Sequence, residues 1–214
     1  MENMTDSIIE DKKLNMQKVR PFLKLELKPS VVHLKTLLDD TLAMIKDTAA
    51  KRGIKLSMEL GEVPKIVRVD AQKLKQAIYN LLSNALKFTP RGGEVFLKVQ
   101  TVDCIVRSGR RRGDSKDTHI VESKIDGCGA VGTDLERCIE FSVSDNGIGI
   151  KADDLERIFD LFEQVEGVSS GHEAHGTGLG LFFAKRLVAF HGGIIWAESN
   201  GEGRGATFNI LLPG

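Results

Sequence analysis

The succession of helix and strand patterns in this 214-residue chain predicts an α+β fold, a two-layer sandwich with helices on one face of a mixed, mostly antiparallel sheet. Two observations support this prediction. Several short segments show the alternation of apolar and polar residues that is typical of half-buried strands. These segments follow one another in pairs that hairpins can join. Between them lie longer segments whose apolar residues recur every three or four positions, which is typical of helices that bury one face.

The first half of the chain predicts three strands and two helices. In order, these are a strand over Leu23–Leu27, a helix over 31–51, strands over 54–60 and 66–69, and a helix over 71–88. Pro29-Ser30 is expected to close the first strand, and Gly53 is expected to end the first helix. Asp70 has a side chain that is suited to cap the second helix at its N-terminus.

The second half predicts four strands and one helix. They are strands over 95–99 and 139–144, a helix over 179–190, and strands over 194–198 and 206–212. Between Val102 and Glu136 neither period holds, so we expect a mobile, structureless insertion over residues 102–136. Its basic cluster, Arg107 with residues 110–112, would form either a solvated surface or a contact for an acidic partner.

Composition and charge exclude some classes of protein. Lys and Arg total 30 and so do Asp and Glu, so the chain lacks the basic field that nucleic-acid binding needs, and we expect no nucleic-acid partner. Cys104, Cys128 and Cys138 lack zinc-site spacing and are expected to be reduced thiols. The sequence shows neither a signal peptide nor an apolar run of about 18 residues, so we expect a cytoplasmic domain, with a parent protein that a membrane helix could still anchor.

The predicted helix over 71–88 carries an unusual polar stripe. Asn80, Asn84 and Lys87 share one face of this helix, while its other face is apolar. An amide oxygen is a suitable ligand for Mg²⁺, and a lysine is a point charge suited to phosphate. By itself the stripe is compatible with a magnesium and phosphate site or with an ordinary exposed surface.

Asp145-Asn146-Gly147-Ile148-Gly149 directly follows an apolar strand. A carboxylate at a strand end can accept a hydrogen bond from an exocyclic amine such as that of adenine, while Gly147 and Gly149 let the backbone bend closely around a ring. The alternative interpretation is a simple Asn-Gly turn.

A second glycine-rich segment, Gly176-Thr177-Gly178-Leu179-Gly180, leads into the last predicted helix. Free backbone N–H groups and the positive end of the helix dipole at such a position favour an anion. The spacing is neither that of a P-loop nor that of a dinucleotide fingerprint, so the segment alone also fits a flexible hinge.

Taken together and in this order, these segments resemble the catalytic ATP-binding domain of sensor histidine kinases, within the GHKL superfamily of gyrase, heat-shock chaperone, histidine kinase and mismatch-repair ATPases. The matching segments are Asn80–Lys87 (N box), Asp145–Gly149 (G1 box), Ile158–Phe162 (F box), Gly176–Gly180 (G2 box), and the tail segments His191–Gly193 and Gly205–Phe208. The resemblance covers residues 22–214 and implies the family's Bergerat-type sandwich.

Carried over by position, the resemblance implies a role for each residue. Asn84 would bind Mg²⁺, Asn80 would lie beside the metal and the phosphates, and Lys87 would contact phosphate. Asp145 would accept a hydrogen bond from the adenine amine, helped by Thr207. The other nucleotide-binding positions implied are Gly147, Gly149, Phe162, Gly176, Thr177, Gly178, Leu179 and Gly180, the last five at the end of a lid over 163–178. Phe159 and Phe162 would anchor that lid, and the alternative and compatible interpretation is that both are ordinary core aromatics.

The resemblance implies a kinase that uses ATP and Mg²⁺. Hydrolysing relatives carry a glutamate base where this chain has Asn80, which favours transfer to a histidine over hydrolysis. No histidine here fits the phosphoacceptor motif, so residues 1–20 are interpreted as the end of a dimerisation and phosphoacceptor helix or a linker, and residues 21–214 as the catalytic domain. The implied partners are that domain of the same homodimeric kinase and a response regulator. A GHKL ATPase and a degenerate kinase module that only binds partners are the alternatives.

Overall fold

Three helices pack on one face of a six-stranded sheet. The computed structural model describes residues 26–109, 118–122, 135–163 and 178–214. The helices are α1 (Leu34–Arg52), α2 (Ala71–Phe88) and α3 (Gly180–Phe190), and the strands are β1 (Ser30–His33), β2 (Lys55–Leu60), β3 (Ile66–Val69), β4 (Glu94–Gly109), β5 (Thr118–Glu122), β6 (Leu135–Asp145), β7 (Ile194–Glu198) and β8 (Ala206–Pro213). Two short 3-10 turns lie at Ala152–Asp154 and Arg157–Phe159.

The main sheet has the order β2-β4-β6-β8-β7, and β5 pairs with β4. Only β2 and β4 are parallel, while β4–β6, β6–β8, β7–β8 and β4–β5 are antiparallel. β1 and β3 form a separate antiparallel ribbon. The predicted fold class, a mixed and mostly antiparallel sheet with helices on one face, is confirmed.

Alternation along the strands builds the core. Val95, Leu97 and Val99 of β4 are fully buried and belong to one cluster with the apolar faces of the helices. α2 lies at the centre of this layer, because its apolar residues recur at helical spacing and all of them are buried: Leu74, Ala77, Ile78, Leu81, Leu82, Ala85 and Leu86. Within the described residues, no helix has both the length and the apolarity that a bilayer crossing requires.

Asp70 fixes the N-terminal end of α2, as predicted. Its carboxylate accepts hydrogen bonds from the Lys73 backbone N–H (3.1 Å), from Lys73 Nζ (2.5 Å) and from the Lys28 backbone N–H (2.9 Å). The Asp70 backbone N–H donates to His191 Nε2 (3.2 Å), just after the end of α3. Burial alone would raise the pKa of Asp70, but these bonds and the Lys73 charge outweigh it and lower the pKa to about 2.

The predicted first strand is wrong in its described part. Residues 26–29 are irregular, and residues 23–25 lie outside the described part of the chain. The strand instead runs over Ser30–His33, directly after Pro29, and α1 begins three residues later than predicted. The reason is tertiary: β1 finds its partner in β3, in a register that pairs Val32 with Val67.

The expectation of a structureless insertion over 102–136 is also wrong for its described residues. β4 continues to Gly109, β6 begins at Leu135, and the two pair from Val95–Asp145 to Ile105–Leu135. Within the predicted insertion, β5 pairs with the far end of β4. The basic residues 110–112 lie outside the described residues.

The expectation of reduced thiols is wrong for two of the three cysteines. Cys104 on β4 and Cys138 on β6 form a disulfide, with Cα atoms 5.9 Å apart and both side chains fully buried. Spacing in the sequence gave no sign of it, because the pairing arises from neighbouring strands whose cysteines are 34 residues apart. Cys128 lies outside the described residues.

Candidate functional site

The polar stripe of α2 meets the beginning of α3. Asn80 Nδ2 donates to the carbonyl of Gly180 (3.0 Å), and Asn80 Oδ1 accepts from Gln76 Nε2 (3.0 Å). The first of these bonds places the C-terminal end of the predicted G2 segment against the N box, and the second orients the Asn80 amide from within α2. Both ends of the Asn80 amide have protein partners, and an amide has no basic site that could take a proton from water.

Asn84 lies one turn further along the same face and is half-buried. Within the described ranges the Asn84 side-chain amide has no hydrogen-bond partner. A half-buried amide oxygen without a protein partner fits a hard cation such as Mg²⁺. Among the residues that the structure describes, no group of three or more His, Cys, Asp or Glu offers an alternative metal site.

Lys87 is a half-buried cation without a carboxylate partner among the described ion pairs. Burial lowers its pKa, and the nearby positive charge of Arg52 lowers it further. Arg52 also donates to the Lys87 carbonyl (3.2 Å) at the end of α2. A half-buried lysine beside the exposed Arg52 favours a bound anion, which would raise the pKa of Lys87 again.

The predicted G1 segment folds against the last residue of α2. The Ile148 N–H donates to the Phe88 carbonyl (3.2 Å). A Cβ atom at Gly147 would collide with the same Phe88 carbonyl, so only glycine allows this approach. Gly149 has a φ of 70°, and a Cβ atom there would collide with the Gly201 carbonyl. Both glycines of the segment are therefore required by its geometry.

Asp145 ends β6 beside this loop. One carboxylate oxygen, Oδ1, accepts from the Gly147 N–H (2.9 Å). Burial raises the pKa of Asp145, and hydrogen bonds from the backbone N–H groups of Gly147 and Ala206 offset only part of that increase. On the neighbouring strand, Thr207 Oγ1 lies 2.9 Å from Ser144 Oγ. The carboxyl group is thus held by backbone donors while it remains undercompensated, as expected for a group that awaits a ligand.

The two described ends of the predicted lid meet. Phe162 has a φ of 65°, and its Cα lies 3.0 Å from the place where a Cβ atom of Gly178 would be. Gly178 itself has a φ of 65°. Both this left-handed backbone conformation and the close approach of Phe162 favour glycine at position 178. Leu179 is buried, and Gly180 begins α3 with open space around its Cα. Gly176 and Thr177 lie outside the described residues.

Phe159 belongs to the core. It is buried and contacts Phe208 edge to face, with ring centroids 6.4 Å apart. Its predicted role as a lid anchor and its role in the core are compatible, because Phe159 lies three residues before Phe162 on the stretch that leads to residue 163. The roles of the site residues in nucleotide binding stay predictions.

Sequence reasoning missed three contributors to the site. They are the Phe88 carbonyl, Arg52 at the end of α1, and Ser199 in the turn between β7 and β8, whose hydroxyl accepts from the Ile150 N–H (3.0 Å). A carbonyl and a tertiary contact leave no mark in a single sequence. The glycines at 201, 203 and 205 were the available signal that the turn beside Ser199 approaches another backbone closely.

The fold and the site define a class of protein: an α+β domain in which an amide-bearing helix, a strand-end aspartate and a glycine-rich turn before a helix are brought together. Residues 69–214 match the profile of the family described as histidine kinase-, DNA gyrase B- and HSP90-like ATPase. The chain belongs to this family. The resemblance recognised in the sequence is thereby confirmed.

Several curated proteins are similar to this chain. The non-motile and phage-resistance protein of Caulobacter vibrioides is 34% identical over 94% of the chain and 20% of its own length. Sensor histidine kinase WalK of Bacillus subtilis is 31% identical over 86% of the chain and 24% of its own length. The circadian input-output histidine kinase CikA of Synechococcus elongatus is 34% identical over 97% of the chain and 22% of its own length. The chain thus spans about a fifth to a quarter of these relatives.

Solved structures of histidine kinases superpose on this chain. Full-length ShkA in complex with AMPPNP superposes with a TM-score of 0.62 at 27% identity, over 88% of this chain and 32% of that chain. The catalytic domain of histidine kinase ThkA superposes with a TM-score of 0.60 at 20% identity, over 87% of this chain and 95% of that one. The second similarity shows the shared fold alone.

Proposed function

We propose that this chain is the ATP- and Mg²⁺-binding catalytic domain of a two-component sensor histidine kinase, which presents the γ-phosphate to a phosphoacceptor histidine on another domain. One observation carries the proposal: two segments that are far apart in sequence both contact α2. The G2 segment contacts it at Asn80, the G1 segment contacts it at Phe88, and Asn84 lies between these two contacts.

The arrangement fits an adenine nucleotide. Asp145 is a desolvated carboxylate whose backbone donors leave acceptor capacity for an exocyclic amine. Phosphates would lie toward Lys87 and the beginning of α3, where a cation and free backbone N–H groups favour negative charge. Asn84 would hold Mg²⁺ through its amide oxygen, and the metal would neutralise charge that develops on the phosphates.

Asn80 favours phosphoryl transfer over hydrolysis. Its amide is bonded at both ends and cannot act as a base toward water. An imidazole nitrogen needs little activation near neutral pH, so a histidine acceptor removes the need for a base at this position. This chemistry distinguishes a kinase domain from the hydrolysing members of the family.

The proposed partners are the dimerisation and phosphoacceptor domain of the same kinase, in a homodimeric parent, and a response regulator. Curated relatives with sensor histidine kinase names support the first, and a solved complex of histidine kinase ThkA with response regulator TrrA supports the second by analogy. We propose the cytoplasm as the compartment, because the proposed activity consumes ATP.

Calorimetric titration of the chain with ATP, in Mg²⁺ and in EDTA, tests the proposal. We expect micromolar-scale binding that strengthens with Mg²⁺, and we expect Asn84→Ala to lose this dependence on the metal. Gln72→Ala is the matched control, since it removes an exposed amide from the same helix. Absence of nucleotide binding by the wild type would instead support a degenerate module that only binds partners.

Phosphate release from the chain alone separates kinase from ATPase. We expect none above background, because the amide of Asn80 cannot act as a base toward water. Steady release that Asn80→Ala abolishes would contradict the kinase assignment and favour a GHKL ATPase.

A further inference from the structure

A clamp of backbone hydrogen bonds joins the G1 loop to the turn between β7 and β8. The Gly205 N–H donates to the Gly147 carbonyl (3.1 Å), and the Gly203 N–H donates to the Ile148 carbonyl (2.6 Å). The two loops lie at the same end of the sheet, because β6 and β8 are neighbours and pair Asp145 with Ala206. The position of the G1 loop therefore depends on a turn that lies about 55 residues later in the chain.

Ser199 closes this clamp from the other side. Its Oγ accepts from the Ile150 N–H (3.0 Å) and from the Gly201 N–H (3.3 Å), and it donates to the Gly205 carbonyl (2.6 Å). A serine hydroxyl has one donor and two acceptor positions, so all three are used. This one side chain connects the end of the G1 loop, the middle of the turn and the residue before β8.

These connections lead to the Asp145 carboxylate. Its backbone donors are Gly147 and Ala206. The Gly147 carbonyl accepts from the N–H of Gly205, which directly precedes Ala206. The carbonyl of the same Gly205 accepts from the Ser199 hydroxyl. A Cβ atom at Gly205 would collide with the Asp145 carbonyl, which shows how closely the turn packs against the aspartate.

We infer that Ser199 is a positioning residue, which aims the Asp145 carboxylate at the exocyclic amine of the purine and thereby sets the preference for adenine. The inference rests on the proposed function, because it assigns a specificity role within the proposed nucleotide site. Ser199 touches neither the predicted metal position at Asn84 nor the stripe of α2. Its effect should therefore fall on recognition of the base and leave the metal dependence of binding intact.

Dissociation constants for ADP and for IDP, measured by titration calorimetry with Mg²⁺ on the full chain, test the inference. In IDP a carbonyl replaces the exocyclic amine of ADP, and a carbonyl cannot donate a hydrogen bond to a carboxylate. We expect wild type to bind ADP more tightly than IDP. We expect Ser199→Ala to lower the ratio of the IDP to the ADP dissociation constant about tenfold, because it removes the hydroxyl that bonds to Ile150, Gly201 and Gly205. Ser199→Thr, which retains the hydroxyl, should keep most of the ratio.

Ser142→Ala is the matched control. Ser142 is a half-buried serine on β6 for which the described residues show no side-chain hydrogen bond, and the ratio should not change in this variant. If Ser199→Ala does not fold, Ser199→Cys replaces it, since its thiol has similar size and forms only weak hydrogen bonds.

Three results would count against the inference, and they are distinguishable. An unchanged ratio in a folded Ser199→Ala or Ser199→Cys variant, with a lowered melting temperature, would show that the hydroxyl only stabilises the turn. An equal loss of ratio in Ser199→Thr would show that shape and not the hydroxyl matters. Wild type that binds neither nucleotide would overturn the proposed function itself.

Discussion

Two aspartates of the chain differ in how far the surrounding protein compensates their charge. Asp70 and Asp145 both lie at the end of a secondary-structure element and both are largely shielded from water. Asp70 accepts three hydrogen bonds, one of them the ionic contact from Lys73 Nζ, and together they lower its pKa to about 2. Asp145 has only backbone donors, and burial raises its pKa. A satisfied charge holds the fold, whereas an undercompensated one is available to a ligand.

The same contrast separates two lysines of α2. Lys73 has Asp70 as its partner at 2.5 Å and stabilises the beginning of the helix. Lys87 has no carboxylate partner in the described ion pairs, and both burial and Arg52 disfavour its charge. The Lys73 charge at the N-terminal end of α2 is thus paired with a carboxylate. The Lys87 charge at the C-terminal end lies over the Phe88 ring, with Nζ 4.8 Å from the ring centroid, and has no carboxylate partner among the described ion pairs.

The largest expected effect is that of Asp145→Asn on nucleotide binding. It replaces a charged acceptor by a neutral amide and should weaken ADP binding by about 2 kcal/mol, close to thirtyfold, as measured by calorimetry. Because burial of the charge disfavours the carboxylate, the same variant should melt at a higher temperature than wild type when no ligand is present. Equal affinities in the two proteins would show that Asp145 does not contact the base.

Asp70→Asn should show the opposite pattern. The side chain is 8% exposed, and a pKa lowered from 3.8 to about 2 corresponds to about 2 kcal/mol of stability at neutral pH. Urea unfolding should reveal this loss, while the dissociation constant for ADP stays within a factor of two or so. A large change in ADP affinity, measured where the Asp70→Asn variant is fully folded, would contradict the assignment of Asp70 to the fold and of Asp145 to nucleotide binding.

Acid unfolding sharpens the comparison without a mutation. The folded pKa of Asp70 lies below its unfolded value, so its contribution is fully present above the unfolded pKa and is lost as pH falls from 3.8 toward about 2. Asp145 acts in the opposite direction, because its folded pKa is raised and its ionisation costs stability as pH rises. Urea midpoints measured between pH 5 and pH 2 in wild type and Asp70→Asn should converge at the acid end. A difference between the two urea midpoints that stays constant down to pH 2 would contradict the lowered pKa of Asp70.

The smallest expected effect is that of Lys87→Met. Loss of a half-buried cation near the proposed phosphate position should weaken ATP binding by about 1 kcal/mol and leave adenosine binding unchanged. The free energy of unfolding should stay the same. Lys73→Met is the matched variant, and it should lower stability and leave ATP affinity as it is. Equal losses for ATP and adenosine in Lys87→Met would show that the lysine acts on the fold and not on phosphate.

Helical periodicity was sufficient to predict α2 and its cap. Its seven buried apolar residues follow one stripe, and Asp70 caps the helix as its side-chain chemistry suggests. Strand pairing was predictable only where alternation was clear. The continuation of β4 to Gly109 and the pairing of Cys104 with Cys138 depend on β6, which begins about 30 residues later, so no local pattern reports them.

The site was predictable in its residue types and not in its connections. Asn80, Asn84 and Asp145 follow from chemistry and from the family resemblance. The bond from Asn80 to Gly180, the contact of Ile148 with Phe88, and the clamp formed by Ser199 arise from packing between distant segments. Such contacts can be seen only once the fold has brought the segments together.

A crystal structure of the chain with Mg²⁺ and a non-hydrolysable ATP analogue tests the central claim most directly. We predict that the adenine amine lies within hydrogen-bond distance of Asp145 and that the metal is bound by the amide oxygen of Asn84. The phosphates should lie between Lys87 and the beginning of α3. A nucleotide bound elsewhere, or a base whose amine points away from Asp145, would contradict it.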